Sequence, residues 1–122
     1  YYCGWHKFIS PETSTHRRYL TSNKDEIKIQ GKHFNKDRHA QQVHWGGGTP
    51  SYLRIEQIQT LTETIKDHFV FTNNDDFELA IEIDPRTTSN ADITSLAGIG
   101  FNRMSFSIQD FDESVQKAIN RV

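Results

Sequence analysis

The spacing of apolar residues divides this chain into seven predicted elements. From Ser14 to about Phe34, Tyr19, Leu20, Ile27, Ile29 and Phe34 recur among charged residues at spacings that favour a helix. Gln41 to Trp45 reads as a short strand that runs into Gly46, Gly47 and Gly48. Between about Arg54 and Phe69, the residues Ile58, Leu61, Ile65 and Phe69 fall on one stripe of a second helix. From Phe77 to Asp84, Leu79, Ile81 and Ile83 point one way and Glu78, Ala80, Glu82 and Asp84 the other, a strand that Pro85 stops. A short helix is predicted over Asn90–Ala97, with Gly98 as its C-terminal glycine. Arg103 to Gln109 alternates again, with Met104, Phe106 and Ile108 opposite Ser105, Ser107 and Gln109. Val115, Ala118, Ile119 and Val122 begin a final helix.

Strands separated by helix-length connections must run parallel and cross over right-handedly, so the predicted class is α/β, a run of βα units. Ligands bind such sheets beyond the carboxyl ends of the strands. Those ends carry Gly46-Gly47-Gly48-Thr49, then Glu82 and Asp84, then Gln109 and Asp110. The later strands also turn small or acidic residues away from their apolar face, as the lining of a barrel lumen requires. The bland alternatives are a Glu82 carboxylate satisfied by a neighbouring strand or loop, and a Gln109 that caps the following helix. A closed barrel of βα units takes about 250 residues. Three strands would leave two open edges, which favour self-association, and the oligomeric state is open. The expectation is therefore one partial barrel domain over residues 1–122, with three strands and four helices, truncated at both ends.

Three consecutive glycines at a strand end remove every Cβ there and cost roughly 0.5–1 kcal/mol each in regular structure. A ligand-contacting loop is the natural reading. A flexible linker is the alternative, against which stand Pro50 on one side and the strand on the other. The nucleotide-binding patterns GxGxxG and GxxxxGK[ST] are both absent.

The formal charge of −2 gives nucleic-acid binding little support, and the clusters at Arg17-Arg18 and from Lys32 to Arg38 read as solvated helix faces. No apolar run approaches the roughly 20 residues that span a bilayer, so a soluble cytoplasmic protein is expected. With one cysteine, Cys3, no intrachain disulfide can form. The chain opens on Tyr1-Tyr2-Cys3-Gly4-Trp5-His6 without a methionine, which looks like a cut inside a structured region, and an apolar fraction of 34% is low for a self-sufficient core. His33, His39 and His44 match neither HExxH nor zinc-finger spacing and read as surface histidines. Cys3 and His6 form half a zinc site without a second pair, and Cys3 as a hydrolytic nucleophile would need an oriented histidine and an oxyanion site.

Four segments together resemble one family. Tyr1-Tyr2-Cys3-Gly4, His44-Trp45-Gly46-Gly47-Gly48-Thr49-Pro50, Ile81-Glu82-Ile83-Asp84-Pro85 and the run from Gly100 to Phe111 are similar, in this order, to the oxygen-independent coproporphyrinogen III oxidases. These are radical S-adenosylmethionine (radical SAM) enzymes of haem biosynthesis with a TIM-like barrel. A haem-chaperone branch shares the glycine motif and related strand ends, and a haem-chaperone-type paralogue is the alternative within the superfamily. In the family a CxxxCxxC loop holds a 4Fe-4S cluster through three thiolates. Cys3 resembles the third, the first two would lie upstream of Tyr1, and one thiolate cannot hold such a cluster. The oxidases usually carry another cysteine two places later, where this chain has Trp5.

The resemblance implies further contacts to S-adenosylmethionine. Tyr2 resembles the position whose backbone meets the adenine. Gly47, Gly48 and Thr49 resemble the motif at the methionyl end, Glu82 the acidic strand-end ligand, and Gln109 and Arg121 additional contacts. A carboxylate and carbonyls suit a cationic sulfonium and amine, and an amide suits ribose or carboxylate. The implied reaction is reductive cleavage of S-adenosylmethionine, hydrogen abstraction from a propionate, and loss of CO₂ and one electron to leave a vinyl group. Two such conversions turn coproporphyrinogen III into protoporphyrinogen IX, with electrons from a donor protein. The porphyrinogen pocket is not legible in the residues themselves. Residues 1–122 alone are expected to be inactive. From another class, a noncatalytic βα module whose glycine rim binds a small anion or nucleotide is the alternative.

Overall fold

Parallel pairing dominates the computed structural model, which describes residues 13–72, 76–106 and 108–120. The described elements follow as α1 (Thr13–His33), β1 (Gln42–Trp45), α2 (Ile55–His68), β2 (Glu78–Ile83), α3 (Asn90–Ile99), β3 (Arg103–Phe106) and α4 (Glu113–Ala118). A 3₁₀ turn over Pro50–Tyr52 joins β1 to α2. The sheet order is β1-β2-β3. His44 pairs with Ala80 and Trp45 with Ile81, while Glu82 pairs with Ser105 and Ile83 with Phe106. Helix-length connections forbid hairpins, so the expected class and order are met.

The core lies between β2 and the helices. Leu79, Ile81 and Ile83 pack with Ile58 of α2, Leu96 of α3 and Phe101, all almost fully buried. Removing such a side chain from water stabilises the fold by roughly 1.5–3 kcal/mol. On β2 the expected alternation is blurred: Ala80, on the other face, is as buried as its neighbours. It lies between His44 and Arg103 in the register, and a methyl flanked by two long side chains is shielded by them.

Helix α1 spans the predicted range, yet Tyr19 and Ile29 remain exposed while Leu20, Ile27 and Phe34 turn partly inward. It crosses α2 at Gly31, where a Cβ would stand 2.7 Å from the Cβ of His68, and Phe34 meets Phe69 edge-on at 5.1 Å.

Three boundaries differ from the pattern. The C-terminal glycine of α3 is Gly100, not Gly98: Gly100 has φ +114° and its N–H bonds back to the carbonyls of Leu96 and Ala97. Ile99 packs against the core, and that contact carries the helix past Gly98. β3 ends at Phe106 rather than Gln109, opposite Ile83, the last residue of β2, and the Ile108 N–H donates to the Phe106 carbonyl at 2.9 Å. Met104 is partly buried but Phe106 and Ile108 are exposed, since β3 has a strand neighbour on one side only among the described residues. Helix α4 is short, capped by Asp112, whose carboxylate accepts from the N–H groups of Ser114 and Val115; Val122 lies outside the described residues.

Candidate strand-end site

The register decides which residues share the face away from the helices. Gln42 and His44 lie opposite Glu78 and Ala80, Ala80 and Glu82 lie opposite Arg103 and Ser105, and Gly46 follows His44 two residues on. At the amino end of the strands the polar groups satisfy one another. Glu78 accepts from Gln42 and from Arg103, the latter at 2.7 Å. The Arg103 guanidinium, and then the Gln42 amide, hold the Glu78 carboxyl below the usual carboxylate range.

At the carboxyl end the arrangement is more open. Glu82 presents its carboxylate beside Gly46, with Oε1 3.5 Å from Nε2 of His44, and the two side chains are 36% and 45% exposed. The three glycines do three different things. A Cβ on Gly46 would stand 2.9 Å from His44 Nε2 and 3.3 Å from Glu82 Oε1, so its absence makes room for that pair. Gly47 takes φ +114°, which turns the chain. Around Gly48 a Cβ would meet nothing within 4 Å among the described residues, and Gly48 is exposed. Thr49 donates its hydroxyl to the Gly48 carbonyl at 2.7 Å and leads into the 3₁₀ turn at Pro50.

The loop is tied to β2 by a clamp. The Asp84 N–H donates to Ser51 Oγ at 3.3 Å, and the Asp84 carboxylate accepts from Arg86 at its backbone N–H and Nε, both 3.0 Å, and at NH2, 2.7 Å. Asp84 is buried and its carboxylate accepts from Arg86, while the bond to Ser51 comes from its backbone N–H, so the side chain expected to be ligand-capable at this rim is engaged within the chain. Between α1 and the glycine loop runs an open groove of about 920 Å³, walled by His16 and Tyr19 on one side and His44, Gly48, Thr49 and Tyr52 on the other. The His16 and Tyr52 rings meet edge-on at 5.2 Å across it.

Of the predicted site residues, the structure brings Glu82 to the glycine loop, with Gly47, Gly48 and Thr49 at the same strand end. Gln109 lies beyond β3 and is exposed; no hydrogen bond or ion pair among the described residues joins it to Glu82 or the loop, and the helix that follows is capped by Asp112 instead. Tyr2, Cys3 and Arg121 lie outside the described residues. His44, expected at the surface, is exposed, and it is also the neighbour of Glu82. The signal for it was the i, i+2 spacing of His44 and Gly46, which puts imidazole and empty space on one strand face.

Open backbone at Gly48 and a half-exposed carboxylate fit a ligand with a cationic end. No group of three or more His, Cys, Asp or Glu among the described residues is arranged to hold a metal. None of the described helices is long and apolar enough to cross a membrane.

A parallel βα sheet with a glycine-lined rim and a carboxylate at its carboxyl end defines the class, and the chain belongs to the radical SAM superfamily, whose model matches residues 1–122. Membership implies a 4Fe-4S cluster and S-adenosylmethionine as cofactors. Among individual proteins, the chain is 40% identical over 121 residues to the oxygen-independent coproporphyrinogen III oxidase of Salmonella typhimurium and 40% identical over 122 residues to that of Synechocystis. It covers 99% and 100% of itself in these matches and 26% of each relative, so it spans about a quarter of their length. A solved structure of coproporphyrinogen III oxidase from Escherichia coli, described as a radical SAM enzyme, superposes with a TM-score of 0.86 at 38% identity, over 98% of this chain and 27% of that one. The expectation of an incomplete radical SAM fold is met.

Proposed function

We propose that this chain is the S-adenosylmethionine-binding part of an oxygen-independent coproporphyrinogen III oxidase, a partial barrel domain over residues 1–122. The observation that carries the reading is the Glu82 carboxylate standing at the carboxyl rim beside a loop whose backbone is open at Gly48. In this reading Glu82 attracts the cationic end of S-adenosylmethionine. Gly47, Gly48 and Thr49 offer backbone groups to its methionyl portion, Tyr2 offers its backbone to the adenine, and Gln109 and Arg121 contact the rest. Cys3 is one thiolate ligand of the cluster. When bound, the reduced cluster and S-adenosylmethionine supply the radical chemistry that removes hydrogen from a propionate. The substrate is coproporphyrinogen III, the product protoporphyrinogen IX, and an electron donor protein serves the cluster, in the cytoplasm.

The test uses the polypeptide of the complete open reading frame, reconstituted anaerobically with iron and sulfide. S-adenosylmethionine binding is read by equilibrium dialysis and porphyrin products by chromatography. Glu82→Gln should raise the Kd about tenfold, the loss of one charge-assisted contact of about 1.4 kcal/mol. Unchanged affinity in that variant would remove Glu82 from the site, and coproporphyrinogen III left unconverted by the unaltered protein would overturn the activity.

A further inference from the structure

We propose that His44 is a positioning residue for the Glu82 carboxylate, its Nε2 attracting Oε1 beside Gly46 and leaving the second oxygen for the cationic ligand. The inference rests on the reading of Glu82 given above. Three features support it.

The first is placement. Parallel pairing sets His44 opposite Ala80, two residues before Gly46 on the same strand face, and Nε2 stands 3.5 Å from Glu82 Oε1. That is ion-pair range, longer than a direct hydrogen bond. The second is the space. With hydrogen in place of a side chain, Gly46 lets the ring and the carboxylate approach the backbone together; a Cβ would meet Nε2 at 2.9 Å, Cδ2 at 3.0 Å and Oε1 at 3.3 Å. The third is the commitment of the neighbours. Arg103, the nearest cation of the sheet face, is spent on Glu78, which also accepts from Gln42. Among the described residues, His44 is thus the nitrogen base this face offers to Glu82.

Stability does not account for the pair. Both side chains are more than a third exposed, and exposed ion pairs contribute little to folding. An imidazole instead supplies a directed nitrogen on a short, rigid side chain, which the long flexible stem of a lysine or arginine at position 44 would not.

The experiment measures S-adenosylmethionine affinity by equilibrium dialysis in the anaerobically reconstituted polypeptide of the complete open reading frame. The variants are His44→Leu, His44→Gln, Gly46→Ala and Glu82→Gln. Losing this polar contact to a charged, part-exposed group should raise the Kd of His44→Leu about fivefold, and His44→Gln, which keeps a polar donor at this position, should restore it to within about twofold of the unaltered protein. Gly46→Ala should weaken binding in the unaltered background and add little to His44→Leu, since both separate the same pair. If Glu82→Gln weakens binding while His44→Leu does not, or if leucine and glutamine weaken it equally, the positioning role is overturned and Glu82 keeps its place. If Glu82→Gln binds as well as the unaltered protein, the reading of Glu82 itself fails, and His44 with it.

Discussion

Replacing Asn102 with alanine removes both arms of a clamp that sets β3 against β2. The Asn102 amide donates to the Phe77 carbonyl at 2.7 Å and its Oδ1 accepts from the Leu79 N–H at 2.9 Å, while its own backbone N–H donates to the Leu79 carbonyl at 3.0 Å. The backbone bond survives the substitution; the side-chain bonds do not. Phe77 is only partly buried and Asn102 is exposed, so water can take over at that carbonyl. Leu79 is 2% exposed, and its N–H has no such substitute. An orphaned buried donor costs about 1–3 kcal/mol, and 2 kcal/mol, about the middle of that range, is roughly a 30-fold rise in the opening equilibrium at this amide. Native-state hydrogen exchange, read at Leu79 by NMR or on peptides covering 77–83, measures it directly. Asn102→Asp keeps the acceptor for Leu79 but sets an oxygen against the Phe77 carbonyl, and should recover about half of the protection. Exchange at Leu79 within about twofold of the unaltered protein, or aspartate no better than alanine, would refute the clamp.

Two glycines of α3 make opposite predictions. Gly100→Ala forces an L-residue into φ +114° and should cost about 1–2 kcal/mol, a backbone effect, since its Cβ would touch only Lys66 Nζ at 3.6 Å and Leu79 Cδ2 at 3.9 Å. Gly98→Ala, inside the helix with open space around it, should gain about 0.5–1 kcal/mol; urea midpoints of the two variants moving in the same direction would contradict the assignment of the cap. Acid should destabilise the fold. Glu78 is held below its usual range by Arg103, Asp92 by the Ser89 hydroxyl and Asp112 by the Ser114 hydroxyl. A depressed folded-state pKa means stability that is complete above the ordinary carboxylate range, about pH 4, and lost as pH falls through the folded values. Urea midpoints measured from pH 6 to pH 3 should fall most steeply below about pH 4, and Arg103→Gln should flatten that fall; an unchanged slope would show that Glu78 is not linked in this way.

Much of this was legible in the chain because short-range rules suffice for it. Ile58, Leu61 and Ile65 lie on a helical stripe whatever surrounds them, and Leu79, Ile81 and Ile83 share a strand face because successive side chains alternate. Helix-length connections between strands forbid hairpins, so the parallel α/β class followed from order alone. The glycine run, Ile81-Glu82-Ile83-Asp84-Pro85 and the segment from Gly100 to Phe111 were specific enough, taken in order, to point to the superfamily that residues 1–122 match.

What the chain could not disclose depends on distances between residues far apart in sequence. That α3 runs on to Gly100 follows from Ile99 packing on a core assembled from three other elements. That β3 stops at Phe106 follows from its register with β2, whose last residue, Ile83, lies opposite Phe106. Glu82 and Asp84 are two residues apart on one strand, yet only tertiary structure separates them, one open beside His44 and the other buried against Arg86. Local periodicity determines which face a side chain takes; the register of 44 against 80 and of 82 against 105 determines which group it meets there, because a contact across a sheet joins residues whose spacing along the chain carries no information about their spacing in space.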